Sequence, residues 1–327
     1  MCIRDSNKYG DDIPIDLHPK IRNEEACYKS SKFAVELAKK TGARLNVFHI
    51  STAKELELFD NNIPVSEKKI TSEACAHHLW FTDKDYKLLG SKIKWNPAIK
   101  TEYDKNGLWQ AVLNDKIDII ASDHAPHTLE EKKRLYTKCP SGGPMVQHSI
   151  ISLLTESKKY NIGIEKIVEK ISHNPSIIFN IKNRGFIREG YFADIVLIDT
   201  NKSYNVSKDS LLYKCNWSPF EGQVFDSSIF MTFVNGQIVY NQGKITSDPI
   251  GKQLIFDILV LNSINTNSLM SQVELISDEF IFERYSVDSI QFYESELYYS
   301  KRPRDHFEIY SNVKKRILKQ MDSISIN

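Results

Sequence analysis

Paired cysteines are missing from this sequence. Its five cysteines (Cys2, Cys27, Cys75, Cys139 and Cys215) are scattered, odd in number and form no Cys-x-x-Cys pair, which excludes a disulfide framework and a zinc-ribbon pattern. Reduced thiols in a cytoplasm are the simplest expectation. Long apolar runs are also missing. None approaches the roughly eighteen residues of a membrane span, and no signal peptide is expected from the opening residues. A strong charge of either sign is absent too. A formal net charge of +1 over 327 residues gives no reason to expect nucleic acid or an anionic membrane as partner.

What is present reads as a folded α/β protein. Apolar residues at 41% and charged residues at 26% are ordinary for a globular chain of one large and one smaller domain. Asn23-Glu24-Glu25 opens a helix in which Ala26, Ser30, Phe33, Ala34, Leu37 and Ala38 recur at helical spacing up to Gly42. Strands are expected at Leu45–Ile50, Ile70–Cys75 and from Ile117 to Ala121, separated by helices around 54–59 and 108–114. Strand and helix alternating in units of roughly thirty to forty residues is the rhythm of parallel βαβ packing. Pro97 keeps the 93–99 segment out of a helix. Helices follow at about 146–160 and 164–171, then a short one from Asn174-Pro175 to Phe179. After Arg184 the texture changes to a strand at Ile195–Ile198 and a hairpin between Phe230 and Ile238, turned at Asn235-Gly236.

Each parallel strand ends in groups suited to a hydrolytic metal site. His49 ends the first, His77 and His78 follow the second, and Asp123, His124 and His127 follow the third. A lone histidine is more often a hydrogen-bonded core residue than a ligand. Recurrence at successive strand tips is the feature that favours chemistry, because β/α barrels draw their sites from several strand ends. Imidazole and carboxylate suit zinc, whose bound water reaches a pKa near ~7. An aspartate beside that water can take its proton and pass it to a leaving nitrogen.

Four phrases carry a family likeness: Asn46-Val-Phe-His-Ile-Ser-Thr52, Ser72-Glu-Ala-Cys-Ala-His-His-Leu79, Lys94-Trp-Asn-Pro-Ala-Ile-Lys100 and Ala121-Ser-Asp-His-Ala-Pro-His127. In order and content they resemble the dihydroorotases among the cyclic amidohydrolases. Pro140-Ser-Gly-Gly-Pro144 and Arg184 to Asp194 fit the same likeness, which runs from about Asn7 to Lys244. The resemblance implies an α/β fold: the C-terminal part of an amidohydrolase (β/α)8 barrel, about strands 6–8, with a partial small β-sandwich. It implies a zinc-dependent enzyme, two ions per complete site, that reversibly hydrolyses dihydroorotate to carbamoyl aspartate in pyrimidine synthesis. His49 then resembles a ligand of one zinc, and Asp123 a ligand of the other that also serves as general base and acid. Asn96, His127 and the backbone of Ser141 and Gly142 resemble the substrate-binding groups, although a Phe is common where Ser141 stands. His77, His78 and His124 are expected as a second tier lining the site, and Ser122 replaces a frequent Thr.

The family's His-x-His on the first strand and the arginine after it, its bridging carboxylate or carboxylated lysine and a further histidine have no counterpart, and His18-Pro-Lys-Ile-Arg22 does not substitute for them. The expectation is therefore a dihydroorotase lacking its first five strands and inactive in this form. An allantoinase-like or hydantoinase-like enzyme, or a non-catalytic partner protein, is the alternative. The expected partner is a small molecule, with a homo-oligomer allowed. Residues 1–6 have no periodicity and resemble a non-native leader. The partial barrel is expected over 7–183, the β module and linker over 184–256, and a small all-α domain over 257–327. In that last part Phe307, Tyr310, Val313, Ile317 and Met321 form one apolar stripe. Phe282 to Phe292 and Tyr298 to Pro303 resemble a bacterial domain of unknown function.

Overall fold

The computed structural model describes residues 13–246. The chain divides into units Met1–Asn267 and Ser268–Asn327. The second, with the expected helical tail, lies outside the described residues, as do the leader and most of the linker.

Three parallel strands organise the first unit in the order β1 (Leu45–Ile50), β2 (Ile70–Cys75) and β3 (Ile119–Ala121). The helix Glu24–Thr41 leads into β1. The Asn23 side chain accepts from the Ala26 N–H at its start, and Gly42 ends it with φ +71°. Its buried stripe is Ser31, Val35 and Ala38, whereas the expected core residues Phe33 and Leu37 are 69% and 50% exposed. The helix is thus rotated from the periodicity reading, and Phe48 on β1 is exposed as well. Between β2 and β3 runs the helix Glu102–Leu113, six residues longer at its start than expected. Its capping box explains the extension: Thr101 accepts from the Asp104 N–H while the Asp104 carboxylate accepts from Thr101.

β3 is shorter than its apolar run. Ile117 donates its N–H to Ala111 and Asp118 donates to Ser72, so regular pairing starts only at Ile119. Asp118 accepts from the Ser72 N–H at 3.0 Å and pairs with buried Lys68 at 2.6 Å. That clamp fixes the lower end of β2 against β3, with Cys75 opposite Ala121 at the upper end. Trp95, Trp109, Leu79, Ile93 and Ile99 are all at most 1% exposed and fill the core above. The Trp109 indole donates to the Leu79 carbonyl at 2.8 Å, which satisfies its one polar atom.

After helices Ser149–Ser157, Ile164–Val168 and Asn174–Ile178 the chain enters an antiparallel sheet. Its order is β4 (Ile195–Asp199), β7 (Ser228–Val234), β8 (Gln237–Asn241) and β9 (Lys244–Ile245). The expected Asn235-Gly236 turn joins β7 to β8, with both residues at positive φ. A further two-residue pair, β5 (Tyr204–Asn205) with β6 (Val224–Phe225), has no sequence period to announce it. Among the described residues, no helix is long and apolar enough to cross a membrane.

Candidate active site

The upper ends of β1, β2 and β3 place their polar residues side by side. Asp123 lies two residues beyond β3 and His77 two residues beyond β2. Because Cys75 and Ala121 are in register, the two side chains meet, with His77 Nε2 3.9 Å from Asp123 Oδ2. His49 is close enough to Asp123 for its charge to favour the carboxylate, yet burial dominates and holds the Asp123 carboxyl above the usual range. His49 and Asp123 share a backbone peculiarity: both have φ +45°. A left-handed conformation at a non-glycine residue costs on the order of 1–3 kcal/mol and clusters at functional sites. The loop after β1 is fixed by buried Glu55, which accepts from Ser31, Thr52 and the Ser51 N–H.

Glu73, on β2, was not among the expected site residues. It is 9% exposed, and burial followed by the Asp123 charge pushes its carboxyl up to about 7, while the His49 N–H and the Asn46 side chain act the other way. Its signal in the sequence was a lone charge inside a strand with no exposed face, since β2 is buried from Thr71 to Cys75. Such a group is disposed to exchange a proton near neutral pH.

The other expected residues fall into three groups. His127 donates from Nε2 to the Ser141 carbonyl, 3.1 Å away, and its own carbonyl accepts from Trp217 at 2.7 Å. This joins His127 to Ser141, while the Gly142 N–H donates to the Lys94 carbonyl, two residues before Asn96. Asn96 is exposed and precedes a cis bond to Pro97. His124 turns aside: its Nδ1 accepts from the Met145 and Val146 N–H groups, and its ring stacks on Tyr213. His77 and His78 are buried, with His77 stacked on Trp95 at 4.5 Å.

Two buried lysines hold the substrate-type loop, and neither was read from the sequence. Lys132 donates to the carbonyls of Lys94, Pro140 and Gly142, and burial lowers its pKa to about 8. Lys94 donates to the carbonyls of Tyr136 and Cys139. Such cages satisfy carbonyls that a loop cannot pair within itself.

Gly142 is tied to this arrangement, because its φ is +113° and an added Cβ would sit 2.6 Å from the Ala125 carbonyl oxygen. Gly142→Ala is expected to cost about 1–3 kcal/mol, read as a lower thermal midpoint. An unchanged midpoint would show that the loop is not held this way.

Residues 24–239 match the amidohydrolase family. The chain belongs to the amidohydrolase family, and residues 251–323 match a domain of unknown function. A dihydroorotase of Pyrococcus abyssi is 34% identical over 225 residues, 68% of this chain and 53% of that protein. An allantoinase of Desulfitobacterium hafniense is 32% identical over 67% of this chain and 49% of its own length. The chain thus spans about half the length of the curated relatives it matches. In fold it is similar to a dihydropyrimidinase from Brevibacillus agri, with TM-score 0.66 and 22% identity, over 75% of this chain and 54% of that one. An L-hydantoinase from Arthrobacter aurescens gives TM-score 0.62 and 24% identity over 68% and 50%.

Proposed function

We propose that this chain corresponds to the C-terminal part of a dihydroorotase-type hydrolase, which opens the cyclic amide of dihydroorotate to carbamoyl aspartate. The observation that carries the reading is the convergence of His49, Glu73, His77 and Asp123 at adjacent ends of parallel strands, with the His127–Ser141–Gly142 loop built over that end of the sheet. In a β/α barrel this end bears the chemistry. Identity to dihydroorotases over two thirds of the chain supports the substrate class. The exposed Phe33, Leu37 and Phe48, with β1 and β3 each having one sheet neighbour among the described residues, support further barrel strands beside these three.

In this reading Asp123 takes a proton from the attacking water and returns it to the leaving amide nitrogen, a role suited to a carboxyl raised by burial. Asn96, His127 and the Ser141-Gly142 backbone orient the ring and its carboxylate. The zinc implied by the likeness does not fit the described residues alone. His49 and Asp123 offer one ligand each, and a catalytic zinc takes three protein ligands plus water. The described group that comes together as a metal-binding set, Cys75, His77 and His78, contains neither of them.

A chimaera tests the substrate. Residues 13–246 of this chain, substituted for the matching segment of the Pyrococcus abyssi dihydroorotase, are expected to hydrolyse dihydroorotate in preference to allantoin and hydantoin. Asp123→Asn in that chimaera should lower kcat by about 10²–10⁴-fold. A preference for allantoin, in line with the allantoinase relative, would overturn the dihydroorotate assignment.

A further inference from the structure

The geometry points to a second, thiolate-containing metal site in this chain, built by Cys75, His77 and His78 for a thiophilic d10 cation such as Zn2+. One ligand atom from each of the three lies within 4.8 Å of the others, and all three residues are buried. Metal–ligand distances of roughly 2.0–2.3 Å bring such a set onto one ion with small side-chain adjustments. The site uses neither His49 nor Asp123 and does not depend on the hydrolytic reading.

The decisive feature is unspent hydrogen-bonding capacity in a dry place. His78 Nε2 lies 3.1 Å from the Pro97 carbonyl oxygen, which can only accept. The proton therefore sits on Nε2, and Nδ1 carries a lone pair. That Nδ1 is buried and has no partner. A backbone carbonyl fixing the far nitrogen of an imidazole is how proteins preset a metal-ligating tautomer. His77 is 0% exposed, and neither of its ring nitrogens has an aligned partner. The Ser122 backbone lies near enough only to favour a proton there. Leaving three such nitrogens dry carries a desolvation cost, and a bound cation removes that cost at two of them. Stacking on Trp95 holds the His77 ring plane, and the His77 and His78 rings lie 4.2 Å apart. The cysteine supplies the third ligand from the last residue of β2, its thiol proton leaving to bulk water as the metal–sulfur bond forms.

The Asp123 carboxylate lies 3.9 Å from His77 Nε2. That carboxylate is 34% exposed, so the cluster is one side chain from solvent. This gives the ion an entry path and a water for its fourth position.

The test is cobalt spectroscopy on the full 327-residue chain, stripped of metal and titrated with Co2+ alone. One equivalent is expected to produce a thiolate-to-cobalt charge-transfer band in the near ultraviolet, displaced by Zn2+. Cys75→Ser should abolish the band, and His78→Gln should weaken Co2+ binding at least about tenfold. Cys27→Ser, Cys215→Ser and His49→Ala should retain it, the last separating this site from the hydrolytic one. Urea unfolding of each variant establishes that it is folded. No band at saturating Co2+ in the folded chain, or a band that survives Cys75→Ser, would overturn the assignment. Zinc binding that disappears with His49→Ala while persisting in Cys75→Ser would do so equally.

Discussion

Purified alone and supplied with zinc, the 327-residue chain is expected to form carbamoyl aspartate from dihydroorotate no faster than its own Asp123→Ala variant. The reason is ligand count. His49 and Asp123 are single donors at the tips of β1 and β3, and Glu73, the neighbouring carboxyl, is held near a pKa of about 7 by burial, so much of it is protonated at neutral pH. One or two ligands at the His49–Asp123 position cannot hold a zinc ion there firmly enough to generate hydroxide from its water. Among the described residues the outer edges of β1 and β3 are unpaired, which adds a second obstacle, since unpaired strand edges invite association in place of catalysis. The assay is product formation with added Zn2+ for the two proteins side by side. Turnover well above background that Asp123→Ala removes would mean that the chain completes a site from its own residues, with His77 and His78 the first ligands to examine.

A second large effect concerns acid. Burial lowers the pKa of His18 and His78 to about 3 and of His148 to about 4, and holds His77 well below the ordinary value. An unfolded chain protonates these imidazoles near pH 6.5, whereas the folded chain keeps them neutral. Their contribution to stability is therefore complete above about pH 6.5 and is lost as the pH falls toward 3–4. Glu73 has the opposite sign, because its folded pKa is raised: its contribution is present below about 4.5 and lost as the pH rises to about 7. Four imidazoles outweigh that one carboxyl. Between pH 6 and 5 the net uptake on unfolding is two to three protons, a slope on the order of 3 kcal/mol per pH unit. Since domains hold only about 5–15 kcal/mol, the fold should fail near pH 4–5. Urea midpoints from pH 7.5 downward measure this directly. His18→Gln should reduce the slope by up to one proton, and a flat profile over that range would contradict the buried neutral histidines.

The periodic and capped parts of the fold were legible. Asn23 and Gly42 mark both ends of the first helix, and β1 and β2 occupy the expected Leu45–Ile50 and Ile70–Cys75. The Asn235-Gly236 turn fell where its residue types require it. The misses share a cause, which is that the deciding partner is distant in sequence. Which helical stripe is buried depends on what packs against it, so Phe33 and Leu37 were misplaced. The length of β3 depends on Ala111 claiming the Ile117 N–H. At the site, motif phrases singled out His49, Asp123 and the Ser141-Gly142 loop. Glu73 was hidden because a strand residue's environment is set by its neighbours, here Asp123 and His49. The cages of Lys94 and Lys132 were hidden because their acceptors are backbone carbonyls, which no side-chain pattern records.

The left-handed backbone at His49 and Asp123 makes these two positions a gauge of selection. At both, the residue best suited to the main chain is glycine or asparagine, and glycine there would relieve most of a strain on the order of 1 kcal/mol or more. A descendant of this chain released from any catalytic duty would gain stability by drifting to either residue, with no barrier in packing at half-buried sites. Retention of His and Asp in close relatives that carry the same backbone would therefore mean that chemistry is still being paid for in folding free energy. Glycine or asparagine at both would mark a lineage in which only the scaffold is used.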